Sequence, residues 1–246
     1  MKIKYAFLLF LVPLLLINTN LGVPVNAAAV EFVIPPPVTA ADIPDDIYRD
    51  SSARLPQVQR EDLDAAGRDA FDTYVSPGTG YETGLRGPVG MWMHSPELAQ
   101  AIFDVRLRVR YGSAKDQRLT ELTIIATARE INNQYEYTAH EPAARSAGLE
   151  QEIIDIVRFR KPLQGLSDIE GLGETEKVII QFTREVVSAE KVSSDTFARA
   201  IAVFGNEGVM DLTGLIGYYS FVAMTLKAFD VQRPVGSELL LPIRVD

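Results

Sequence analysis

"LTELTIIATAREINNQYEYTAHEPAARSAGL", Leu119 to Leu149, is the stretch whose reading decides the fold. Its first part, "TELTIIATAREI", sets Leu122, Ile125 and Ala126 on one helical face, with Ile124 and Ala128 beside them. Its second part, "YEYTAHEPAARSAGL", runs to Gly148, a residue that ends helices because it tolerates the left-handed backbone. Two helices in tandem are expected.

The same stretch carries the candidate chemistry. Asn133, Glu136 and His140 stand at i, i+3 and i+7, so on a helix they share a face. Tyr135 and Tyr137 flank the glutamate. Glu121 precedes His140 by 19 residues and lies on the same side of its helix as Ile124 and Ala128, which points it inward. A carboxylate on an apolar face is costly unless paired, and a histidine on the next helix is a natural partner. Burial raises a carboxyl pKa and a nearby carboxylate raises that of histidine, so such a set can move protons. The plainer alternative is an exposed Glu–His pair one turn apart. A metal site of His140, Glu136 and Glu121 has less behind it: the chain has two histidines and no HExxH spacing.

Outward from this stretch the chain reads as helix. "HSPELAQAIFDVRLRVR" begins with Ser95 as N-cap and Pro96 at the first helical position, and Leu98, Ile102, Val105 and Val109 follow at helical spacing. "EQEIIDIVRFR" is short and amphipathic. "ETEKVIIQFTREVV" spaces Val178, Phe182 and Val186 four apart, and "SDTFARAIAVF" puts Phe197, Ile201 and Phe204 on one stripe. The last helix, about residues 209–229, is apolar nearly all round, as core and membrane helices are. Asp211, Thr213, Ser220, Thr225 and Lys227 favour the core. No run shows sustained strand alternation. The fold class is all-α, an orthogonal helical bundle.

Two segments interrupt the helices. Residues 27–56 hold "VIPPPVTAADIPDD", and proline favours extended, donor-poor backbone, so an irregular arm is expected there. Val75 to Gly90, "VSPGTGYETGLRGPVG", is a loop of a length that is often functional. Its "GTGYETG" lacks the lysine and the strand-to-helix context of a phosphate loop, and no GxSxG occurs in the chain. His94, in "GMWMHSPEL", either lines the cleft with Trp92 or merely neighbours the Ser95 cap.

The N-terminus has its own pattern. Lys2 and Lys4 precede an apolar run, Ala6 to Ile17, and Val25-Asn26-Ala27 offers small residues for cleavage. This is the layout of a signal peptide, residues 1–27, and implies a periplasmic or secreted protein without stable membrane insertion. The formal charge is −9, and cleavage would leave it two charges more negative. An acidic body repels phosphate backbones, which argues against a nucleic-acid partner. The chain has no cysteine, so thiol nucleophiles, thiolate metal sites and dithiol redox chemistry are excluded.

The Leu119–Leu149 stretch, with "MHSPELAQA" before it and "VSSDTFARAIAVFGNEGVMDLTGLIGYYSFVAMTLKAFDVQ" after it, resembles the carboxymuconolactone decarboxylase family, within the alkyl hydroperoxidase D-like superfamily. The resemblance spans about residues 88–234. It implies the alkyl hydroperoxidase D-like bundle over residues 76–246, with residues 28–75 as an N-terminal arm. The peroxidases of that superfamily carry two cysteines where this chain has Asn133 and Glu136, so their thiol mechanism has no thiols here. The decarboxylase branch has an aromatic–Glu pair before the histidine, matched by Tyr135-Glu136. What it implies is cofactor-free, metal-free proton chemistry, decarboxylation or isomerisation, on a small unsaturated lactone or carboxylic acid. His140 is then the proton carrier, Glu136 its partner and Glu121 the group that orients and charges the imidazole. Tyr135, Asn133, His94 and Trp92 are expected to shape the pocket, and Arg86, Arg129 or Arg160 to hold a substrate carboxylate. The family also implies a homo-oligomer, trimer or hexamer. The signal peptide and the long arm depart from the cytoplasmic pathway enzyme, which leaves open an exported small-molecule-binding or scaffold protein of the same fold.

Overall fold

The computed structural model describes residues 31–112 and 116–245; the expected signal peptide, residues 1–27, lies outside the described residues. Among the described residues there are eight α-helices: α1 (Ala65–Val75), α2 (Gly87–Trp92), α3 (Pro96–Arg106), α4 (Gln117–Ile131), α5 (Gln134–Ser146), α6 (Gln151–Arg158), α7 (Glu174–Ser188) and α8 (Ser194–Ala228). Two three-residue strands, β1 (Glu31–Val33) and β2 (Ile243–Val245), pair antiparallel with Phe32 opposite Arg244.

α4 is the central post and packs against α5, α7 and α8. It has no outward face. Every residue from Thr120 to Arg129 is buried, a wider burial than the single apolar stripe expected. The threonines survive there because each hydroxyl bonds a carbonyl one turn back: Thr120 to Asp116 (3.0 Å), Thr123 to Leu119 (2.9 Å) and Thr127 to Thr123 (2.8 Å). Burial of Leu122, Ile124 and Ile125 contributes about 1.5–3 kcal/mol each. Leu122 and Ile125 belong to a core shared with α5, α6 and α7, while Ile124 faces a second core made by α1, α2, α3 and the end of α8.

Two asparagines turn α4 into α5. Asn132 takes the left-handed conformation (φ 60°, ψ 40°) as C-cap of α4, and Asn133 caps α5 by accepting from the Glu136 N–H at 2.9 Å. The corner leaves the inward side of α5 against that of α4. Beyond the site, Glu141 of α5 is buried and held by Arg145 (2.8 Å) and by Arg158 of α6. α5 ends before Gly148, which has φ +89° as a helix stop requires.

α3 departs from the expected stripe. Leu98 and Val105 are 47% and 45% exposed, and the inward set is Ala99, Ile102, Phe103 and Arg106. The helix has rotated so as to bury an arginine. Ser95 does precede Pro96 at its start, but its side chain makes no capping bond. After α3 the chain widens into a π-helical turn, Leu107–Gly112. Such turns insert a residue and re-aim side chains, often at functional sites.

α8 contains the two helices expected from sequence, joined at Gly205, where φ 65° and ψ −179° are open to glycine and strained for other residues. Among the described residues α8 is the one helix with the length and composition of a membrane span. Its residues Val209, Leu212, Leu215, Ile216, Val222 and Leu226 fill the two cores, which explains its apolar character. The arm lies against the C-terminal segment of its own chain: the Arg54 N–H bonds the Phe229 carbonyl (2.9 Å) and the Gln232 N–H the Ser52 carbonyl (2.8 Å).

Candidate active site

The α4–α5 corner brings Glu121 and His140 together. Nδ1 of His140 lies 2.7 Å from Oε2 of Glu121, and Nε2 lies 3.4 Å from Oε2 of Glu136, one turn earlier on α5. Both ring nitrogens therefore face carboxylates. The other oxygen of Glu121 accepts from Nη2 of Arg110 at 2.9 Å. Arg110 comes from the π-helical turn and also donates, through Nη1, to the Tyr219 hydroxyl of α8. The Tyr219 ring meets the imidazole edge-on at 5.1 Å. The result is a buried chain, Arg110–Glu121–His140–Glu136, in which two cations alternate with two carboxylates.

This alternation sets the protonation of the histidine. Burial by itself lowers the His140 pKa; hydrogen bonds to Glu121 and Glu136, which accept, and then their charges, outweigh it and hold the imidazole above its ordinary value of 6.5. Protonation of the imidazole is thereby favoured, and in the protonated ring Nε2–H faces Glu136. Burial raises the phenol pKa of Tyr81, Tyr135 and Tyr219, so these rings stay neutral and can donate.

Glu136 and His140 open onto a cleft of about 410 Å³. Its walls come from the loop at Gly78–Tyr81, the start of α2 and the end of α3, then from the π-helical turn, α5 and the Tyr218–Tyr219 pair of α8. The glycine-rich loop thus reaches the site. Gly87 matters at its mouth: it has φ +59°, and a Cβ there would stand 3.1 Å from the Tyr135 hydroxyl. A side chain at Gly87 would strain the backbone and press on that ring. Among the described residues no three His, Asp or Glu side chains converge in the manner a metal ion requires.

Of the residues singled out from sequence, Glu121, Glu136, His140, Tyr135 and Arg86 gather at the cleft. Asn133 does not line it, because capping α5 and donating to the Ala223 carbonyl (3.4 Å) engage its side chain. Trp92 is buried in the second core, stacked on Phe221, with Nε1 donating to Thr225 Oγ1 at 2.9 Å. His94 is exposed, 3.0 Å from the Pro56 carbonyl, and shares with Trp92 a separate surface groove. Arg129 lies under the Phe32 ring and donates to the Pro242 carbonyl. Arg160 pairs with Glu130 at 2.8 Å, away from the cleft. The reading of the sequence missed Arg106, Arg110, Tyr111 and Tyr219. The signal for the two arginines was their four-residue spacing in "RLRVRYG", which on a helical turn gives them one face.

Fold and site together define an all-helical bundle with a buried acid–base chain at the foot of a tyrosine-rich cleft. Two solved structures share the fold. One is the alkylhydroperoxidase AhpD core of an uncharacterized peroxidase-related protein from Ralstonia eutropha JMP134, with TM-score 0.55 and 17% identity over 74% of this chain and 92% of that one. The other is a protein of unknown function from Agrobacterium tumefaciens, provisionally assigned as an antioxidant defence protein AhpD, with TM-score 0.50 and 20% identity over 61% of this chain and 99% of that one. The fold is therefore AhpD-like. No protein-family model and no curated protein matches the chain.

Proposed function

We propose that the cleft is the active site of a cofactor-free acid–base enzyme acting on a small unsaturated lactone or carboxylic acid. The observation that carries this reading is the double clamp on His140, with a carboxylate at each ring nitrogen and one of them, Glu136, lining the cleft. In a decarboxylation the bond to the carboxylate carbon breaks, carbon dioxide leaves, and the electron pair conjugates into the neighbouring carbonyl. The resulting dienolate then takes a proton at carbon. His140 Nε2–H supplies that proton, passed through the Glu136 carboxylate, and Glu121 with Arg110 keeps the imidazole charged and in place. Phenol donors such as Tyr219 and Tyr81 can meet the negative oxygen.

The AhpD-type neighbours are described in terms of peroxidase or antioxidant roles, but this chain has no cysteine to form a thiolate. Proton chemistry is what its residues retain. The test is a screen of the purified protein against unsaturated lactone acids, with mass spectrometry for loss of carbon dioxide or for an isomer of unchanged mass. Turnover of at least one such acid is expected. Turnover of alkyl hydroperoxides with none of the acids consumed would sink the proposal.

A further inference from the structure

Arg106 is buried at 6% exposure, yet among the described residues it has no carboxylate partner. The protein engages one of its nitrogens: Nη2 donates to the Thr79 carbonyl (2.8 Å) and is 3.2 Å from the Tyr111 hydroxyl. A guanidinium carries five N–H donors in a fixed fork, and a buried cation is costly unless an anion compensates it. Arg110, four residues beyond Arg106, has Glu121 as its counter-ion. Arg106 lines the same cleft as Glu136 and His140, so its missing anion can arrive from outside.

The wall around it is ordered. Arg86 lies 5.2 Å from the centre of the Tyr81 ring and Arg106 lies 5.6 Å from it. Arg106 is 5.3 Å and Arg110 5.5 Å from the centre of the Tyr111 ring, and Arg110 is 6.0 Å from that of Tyr219. Guanidinium and phenol alternate from the exposed Arg86 down to the ring that touches His140. Arg86, like Arg106, has no carboxylate partner among the described residues; it donates to the Gly80 carbonyl at 2.7 Å. In a chain of net charge −9, this concentrates positive potential in one cleft and draws anions to it. Flat rings between the cations favour a flat ligand.

We infer that Arg106 anchors a carboxylate of the substrate, with Arg86 at the mouth. The substrate is a planar, conjugated carboxylate whose body lies among the tyrosine rings and whose reacting carbon reaches Glu136 and His140. This rests on the proton-transfer reading of the cleft, but its test needs no turnover.

The probe is trans-cinnamate, with methyl cinnamate as its uncharged counterpart, titrated calorimetrically into the purified full chain. The wild type is expected to bind the acid about tenfold or more tightly than the ester, as an arginine fork to carboxylate allows. Arg106→Gln is expected to remove that preference while leaving ester binding unchanged. Arg106→Lys is expected to keep part of it, since the charge stays and the fork is lost. Circular dichroism reports whether the variants fold. If Arg106→Gln does not fold, Arg86→Gln at the exposed mouth is expected to weaken acid binding and spare the ester. No acid preference in the wild type, or an undiminished one in a folded Arg106→Gln, overturns the anchor. A retained preference in a chain that turns over no acid supports the anchor and contradicts the proton-transfer reading alone.

Discussion

His140→Ala is expected to lower kcat by about 10²- to 10⁴-fold, the usual contribution of a positioned general acid, while the protein stays folded. The second half of this expectation follows from the neighbours. Two buried carboxylates lose a partner, and Glu121 keeps Arg110 at 2.9 Å. Glu136 also loses its contact, but it lines the cleft, where water can enter. Far-UV circular dichroism and urea unfolding should therefore match the wild type within about 1 kcal/mol, the scale of an ordinary substitution. Unchanged turnover in a folded His140→Ala would contradict the role of His140 as the proton carrier.

Glu121→Gln is expected to damage both stability and chemistry. Arg110 and His140 share this carboxylate, and breaking a buried charge pair costs about 3–5 kcal/mol. The chemical effect comes through His140. Its pKa in the folded wild type is raised above 6.5 by two carboxylates working against burial. The stabilisation from that raised value is fully present below the unfolded pKa and is lost as pH rises through the folded one. Turnover that needs the imidazolium falls over the same rise. With Glu121 neutral, one of the two supports is gone and burial gains ground. Nitrogen NMR of the imidazole should show the His140 titration midpoint moving down in Glu121→Gln, with the alkaline limb of the pH–rate profile moving with it. An unmoved midpoint would mean that Glu121 does not charge the imidazole.

How much of this was legible in the sequence depends on what each residue is asked to do. Glu121 and His140 could be paired because both lie on strongly patterned helices and a carboxylate among Leu122, Ile124 and Ile125 needs a partner. Gly148 marked the end of α5 for a local backbone reason. Arg106 and Arg110 were hidden because an apolar stripe is assumed to face the core. Leu98 and Val105 satisfied that stripe by spacing but sit outside, and α3 buries Arg106 in their stead. The π-helical turn then shifts the register, which no 3.6-residue pattern anticipates. Asn133 shared the face of Glu136 by counting, but a residue that opens a helix spends its side chain on the cap. Tyr219 was lost within an apolar helix whose tyrosines look like core. Trp92 and His94 are near the cleft in sequence, yet the end of α2 turns them to another surface.

The most direct test of proton delivery from the His140–Glu136 pair is one turnover of an accepted unsaturated lactone acid in deuterium oxide. The product is then analysed by mass spectrometry and by chiral NMR. The expected product carries a single deuterium on the carbon that took the proton, in one stereochemical sense, because the donor is fixed on one wall of the cleft. A product without deuterium, or one labelled equally on both faces, would contradict it.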